Sequence, residues 1–223
     1  MPTLRGHAYR DERIVSHMIA LIDYGMGNLR SVEKALEHCG GQVKIVTTPA
    51  EILAADKVVL PGVGAIRDAI DRINSTGIAD AVKQTISAGR PLLGICLGLQ
   101  MLFDRSFEHG EFPGLGVIPG DVVRFDFTGT QNEALKIPHM GWNAIKFKSD
   151  CPLFTGIDQG AYVYFVHSYY VCPKDPSVTA ATCNYGCDFT AAVWKDNLFA
   201  TQFHPEKSQS VGLKMLENFV KRT

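Results

Sequence analysis

Arg90-Pro91-Leu92-Leu93-Gly94-Ile95-Cys96-Leu97-Gly98-Leu99-Gln100 is an apolar run that stops at a cysteine held between two glycines. Pro91 to Ile95 reads as a buried strand, with a leading proline where no ladder donor is needed and turn residues at its far end. From Leu97 the spacing changes: Leu97, Met101 and Leu102 recur with a helical period. Cys96 therefore stands where a central strand turns abruptly into a helix. Gly94 and Gly98 flank it at the offsets of the glycines in G-x-S-x-G, the elbow that holds a nucleophile in a strained turn. Free N–H groups at the start of the following helix favour a thiolate. On these residues alone, a packed core cysteine accounts for the stretch equally well.

Outward from the elbow, the chain alternates short apolar strands and helical patterns. Met18 to Asp23, Val43 to Val46 and Lys57 to Leu60 read as buried strands. Between and after them lie helical stretches at Ser31 to His38, from Pro49, at Ile66 to Ile73 and at Ile78 to Ala88. That rhythm specifies an α/β fold, an open, mostly parallel sheet flanked by helices. Beyond Arg105 the character shifts to β-branched and aromatic runs: Gly116 to Phe125, Lys136 to Phe147, Tyr162 to Cys172, Val178 to Thr182, Thr190 to Trp194 and Leu198 to Phe203. These predict an antiparallel β extension of the sheet, closed by an amphipathic helix through Val211, Leu216 and Val220.

The 223 residues, 46% of them hydrophobic, suffice for one large core. We read one domain from 18 to 223 and set aside residues 1–17, polar and irregular, as a disordered leader or extension. A net charge of −1 offers no footprint for nucleic acid or an anionic membrane, so neither partner is expected. Six cysteines without a secretory leader or a long apolar run predict reduced thiols in the cytoplasm. Cys183 and Cys187 lack a second ligand pair at zinc spacing, and the Gly25–Gly27 turn lacks the lysine of a phosphate loop, so no metal or cofactor is expected.

Cys96 needs a base. Of seven histidines, His204 stands apart: it ends an apolar strand, precedes Pro205 and has a carboxylate at Glu206. An extended i, i+2 arrangement would let Glu206 hold the imidazole tautomer that takes the thiol proton. Nucleophile, base and orienter then form a triad. The glycine pair in Pro61-Gly62-Val63-Gly64 turns backbone N–H groups towards the crevice beyond the strand ends, where open α/β sheets bind ligands and where an oxyanion hole can form.

Gly94-Ile95-Cys96-Leu97-Gly98-Leu99-Gln100 together with His204-Pro205-Glu206 resembles the class I glutamine amidotransferase family, and the likeness spans Met18 to Thr223. Within it, Asp23-Tyr24-Gly25-Met26-Gly27-Asn28, Leu60-Pro61-Gly62-Val63-Gly64, Pro138-His139-Met140-Gly141-Trp142-Asn143 and Phe165-Val166-His167-Ser168-Tyr169 are similar to the glutaminase subunits of imidazole glycerol phosphate synthases. The resemblance implies that Cys96, His204 and Glu206 hydrolyse glutamine, with Val63, Gly64 and Leu97 supplying the oxyanion hole and Gly62, Gln100 and Glu108 the substrate site. It also implies a separate (β/α)8-barrel synthase subunit that receives ammonia, with Asn28, Met140, Trp142 and Tyr164 as interface or signalling candidates. Rival readings are an amidotransferase with another partner, a thiol hydrolase on a similar sheet, or a non-catalytic interaction subunit.

Overall fold

A computed structural model describes residues 17–223; of the leader, all but His17 lies outside the described residues. The first half alternates β1 (Met18–Ile22), α1 (Leu29–His38), β2 (Gln42–Val46), α2 (Pro49–Ala54), β3 (Lys57–Gly62), α3 (Ile66–Ser75), α4 (Ile78–Ser87), β4 (Leu92–Cys96) and α5 (Leu97–Met101). The second half runs β5 (Phe103–Ser106), β6 (Phe112–Pro113), β7 (Ile118–Arg124), β8 (His139–Phe147), β9 (Tyr162–His167), β10 (Tyr169–Pro173), β11 (Thr179–Asn184), β12 (Asp188–Lys195), β13 (Leu198–Thr201) and α6 (Gln209–Arg222).

Local chemistry explains several boundaries. Thr48 caps α2 by accepting from the Glu51 N–H at 3.4 Å, Pro49 opens the helix, and the Glu51 carboxylate reaches back to the Thr48 hydroxyl at 2.9 Å. In α3, Ile66, Ala69, Ile70 and Ile73 form one buried stripe at i, i+3, i+4 and i+7. Along β1 the side chains alternate between two apolar layers. Ala20 and Ile22 join α3 and α4 on one side, whereas Ile19 and Leu21 join α1 and α6 on the other. Burial on both faces is what a central parallel strand requires.

The strand order is β2-β1-β3-β4-β13-β12-β10-β7-β5-β6, with β11, β8 and β9 branching from β12. From β2 to β13 all neighbours are parallel, and antiparallel pairing begins at β12, the extension read from the second half of the sequence. Three details differ from that reading. The helix after Cys96 is a single five-residue segment, because Phe103 leaves it to start β5. The run Tyr162 to Cys172 is two strands broken at Ser168: among the described residues β9 pairs only with β8, while β10 lies between β7 and β12. Leu198 to Phe203 stops as a strand at Thr201. The last of these matters for the site, because the parallel registers Gly62↔Cys96 and Thr201↔Ile95 bring the chain ends of β3 and β13 to either side of Cys96.

Candidate active site

Cys96 has φ +55° and ψ −106°, a conformation few non-glycine residues adopt, which costs of order 1–3 kcal/mol and is held here by β4 on one side and α5 on the other. Its neighbours must be small. A methyl group on Gly98 would lie 2.0 Å from the Leu60 carbonyl oxygen, so the elbow approaches β3 at a distance only glycine allows.

His204 follows β13 and is buried. Its Nδ1 lies 2.8 Å from Glu206 Oε1, and both side chains are almost wholly enclosed. The route to this pair corrects the sequence reading: Pro205–Lys207 is one turn of 3₁₀-helix, so Glu206 curls back under the imidazole instead of lying beside it on extended backbone. The main chain of His204 is clamped as well. Its N–H donates to the Tyr164 carbonyl at 2.9 Å, and the Ser208 hydroxyl donates to the His204 carbonyl at 2.7 Å while accepting from the Tyr164 N–H at 3.0 Å.

Burial opposes a charge on His204, but Cys96 and Glu206 outweigh it and push the imidazole pKa up to about 9. The Nε2 atom has no partner aligned for a hydrogen bond, so Cys96 acts on the ring through proximity and charge. At that pKa the ring keeps its proton at neutral pH, and Nε2, the nitrogen that Glu206 does not engage, is the one placed to give a proton up and take it back.

A cleft of about 570 Å³ opens over these groups, lined by Val63, Gly64, Cys96, Leu97, Gln100, Glu108 and His204 among others. Gly64, at φ +96°, turns the chain at its mouth. Gly62 pairs beside Cys96 beneath it, packed so tightly that a methyl would lie 2.5 Å from the Tyr24 hydroxyl. Glu108 Oε2 accepts from the Ile66 N–H at 2.7 Å, tying the loop after β5 to the start of α3. Gln100 also differs from an open substrate ligand: its amide nitrogen is bound to the Tyr169 carbonyl and to Gln202 Oε1.

The four interface candidates lie outside this cleft. Asn28 precedes α1 and lines a small crevice with Gly62, His204 and Glu206. Met140 and Trp142 are 62% and 44% exposed on β8, and Trp142 faces Tyr164 across the β8–β9 register with ring centroids 6.0 Å apart. Sequence reasoning gave no site role to Arg124 or to Ser168 and Tyr169 of the Phe165–Tyr169 stretch, which line the cleft from β7 and the β9–β10 break, or to Gln202, whose amide nitrogen stands 3.8 Å from Cys96 Sγ. Gln202 had a signal: it lies two residues before His204 at a strand end.

The family model for glutamine amidotransferase class-I matches residues 20–223. The chain belongs to that family. Among its relatives, the imidazole glycerol phosphate synthase subunit HisH of Syntrophotalea carbinolica is 56% identical over 91% of this chain and 98% of that protein. The subunit of the same name from Geobacter sulfurreducens is 54% identical over 90% and 97%. Among solved structures, PurLQS from Thermotoga maritima superposes with a TM-score of 0.69 at 16% identity, covering 92% of this chain and 97% of that one. That likeness speaks for the fold alone. Among the described residues no cluster of three or more His, Cys, Asp or Glu is disposed around a metal position, and no helix is long and apolar enough to cross a membrane.

Proposed function

We propose that this chain is the glutaminase subunit of an imidazole glycerol phosphate synthase of histidine biosynthesis, hydrolysing glutamine to glutamate and ammonia in the cytoplasm. The carrying observation is the meeting of Cys96 with the buried His204–Glu206 pair at the ends of adjacent parallel strands, under one cleft. The identity to subunits of that name supports the choice of synthase.

In this reading the Cys96 thiolate attacks the side-chain amide carbon of glutamine. The oxyanion is held by the backbone N–H groups of Leu97 and the Val63–Gly64 segment, donors worth ~10²–10³ each in turnover. Imidazolium His204 gives its proton to the leaving nitrogen, and ammonia departs from a thioester. His204 then takes a proton from water, whose oxygen attacks the thioester and releases glutamate. Glu206 holds the imidazole throughout. Gly62, Gln100 and Glu108 position the substrate, Gln100 through the amide oxygen that its internal bonds leave over.

Free ammonia is protonated in water and loses its nucleophilicity, so a closed path to a second active site serves the chemistry. A (β/α)8-barrel synthase subunit docked on the β8–β9 face, over Met140, Trp142 and Tyr164 with Asn28 at the margin, supplies that path. The test is glutamate release measured with and without the barrel partner and its nucleotide ligand. Wild type should be strongly stimulated by the loaded partner, and Cys96→Ala should be inactive under every condition. Glutamate release that survives Cys96→Ala removes the nucleophile, and a barrel partner that neither binds nor stimulates removes the choice of synthase.

A further inference from the structure

Gln202 is fully buried just beyond β13, and which end of its amide faces the Cys96 sulfur is decided at a distance. The carbonyl oxygen of Tyr169 can only accept. It takes one hydrogen bond from Gln100 Nε2 at 3.0 Å and another from His167 Nδ1 at 2.8 Å. The Gln100 amide is thereby oriented, and its second N–H donates to Gln202 Oε1 at 3.1 Å. With its oxygen engaged, Gln202 turns its NH₂ towards Cys96 Sγ, 3.8 Å away. Turning that amide over would set two NH₂ groups against each other in a buried site and aim an oxygen lone pair at the sulfur.

The same carbonyl sets the polarity in the other direction. His167, donating from Nδ1, must accept at Nε2, so His139 donates from its Nδ1 at 3.1 Å and turns its own Nε2 to Asn143 Nδ2, 3.5 Å away. This order needs both imidazoles neutral. Burial lowers the pKa of each, His139 to about 4 and His167 to about 3. One backbone carbonyl thus fixes a chain of donors and acceptors from strand β8 to the nucleophile.

We propose that Gln202 is a further catalytic residue of the glutaminase reaction: its side-chain N–H, oriented by Gln100 and the Tyr169 carbonyl, donates to the Cys96 sulfur and holds it as the attacking thiolate. A thiolate accepts more strongly than a thiol, so a fixed donor favours the reactive form. Gln100 and His167 are positioning residues in this arrangement. The inference rests on the glutaminase reading for its reaction, but its first test needs neither glutamine nor partner.

That test is the pH profile of Cys96 alkylation by iodoacetamide in the full chain, followed by mass spectrometry of the Cys96 peptide so that the other thiols do not contribute. Gln202→Met, close in volume and without a donor, should move the midpoint up by about one pH unit, the scale of one hydrogen bond to a charged group. Gln202→Glu should move it further, since an oxygen then faces the sulfur. Gln100→Met, which leaves Gln202 in place but unlocks its amide, should give a smaller shift in the same direction and decides the matter if both Gln202 variants fail to fold. With the partner bound, Gln202→Met should lower kcat about tenfold and leave the glutamine KM within about twofold. An unchanged midpoint in folded variants, or a KM effect alone, overturns the proposal. A wild type without Cys96-dependent glutaminase activity would instead sink the functional reading and leave the midpoint shift standing.

Discussion

Glu206 reaches the sulfur only through His204, and its contribution is separable from packing because it is electrostatic. Its carboxylate is one of the two groups that raise the imidazole pKa to about 9. Glu206→Gln keeps the shape and removes the charge. We expect kcat to fall by about 10²-fold or more, the scale of positioned acid–base catalysis, with KM little changed. The high-pH limb of the rate profile should move to lower pH, because His204 then loses its proton earlier. A profile that falls in height with its limbs in place would show that Glu206 only packs. Cys96 and Gly98 belong to the same scale: the positive φ of one and the missing side chain of the other, where a methyl would lie 2.0 Å from the Leu60 carbonyl oxygen, were both legible as a G-x-C-x-G turn.

At the scale of elements, the β8–β9 hairpin carries His139 opposite His167, and their mutual hydrogen bond is lost once both are protonated. Their folded pKa values lie below the unfolded value of about 6.5, so between about pH 6.5 and pH 3–4 the unfolded chain binds more protons and stability falls with falling pH. His204 runs the other way: its raised pKa supports the fold fully below pH 6.5 and is lost as pH rises towards 9. Melting temperature should therefore peak near pH 6.5, and His167→Gln should flatten the acid side of the curve. An acid limb of unchanged steepness in that variant would separate these histidines from the acid response. The hairpin also shows what strand periodicity could not reveal. Tyr162 to Cys172 reads as one run, yet its halves pair with different strands, and only the break at Ser168 lets His167 and the Tyr169 carbonyl meet beside the cleft.

For the molecule as a whole, the hairpin joins an outer face to an inner site. Met140, Trp142 and Tyr162 stand outward at 62%, 44% and 60% exposure, while Tyr164, on the strand of Tyr162, clamps the backbone of His204, directly through its carbonyl and by way of the Ser208 hydroxyl through its N–H. A partner seated on Trp142 therefore presses on the strand that holds the base. Trp142→Ala should weaken binding of the barrel partner by about 30-fold or more, as loss of an aromatic anchor does, and leave the alkylation profile of Cys96 in the isolated chain unaltered. Titration calorimetry that finds wild-type affinity would move the docking face elsewhere. The α/β order, the elbow at Cys96 and the His204–Glu206 pairing were all legible in the order of residues, since each rests on period, turn chemistry or neighbours a few positions apart. That Gln202 faces the sulfur came from the folded chain alone. Nearness to His204 in the sequence marks the residue, but its seat against the sulfur follows from the parallel register of β4 and β13 and its orientation from the carbonyl of Tyr169, partners that lie far away along the chain.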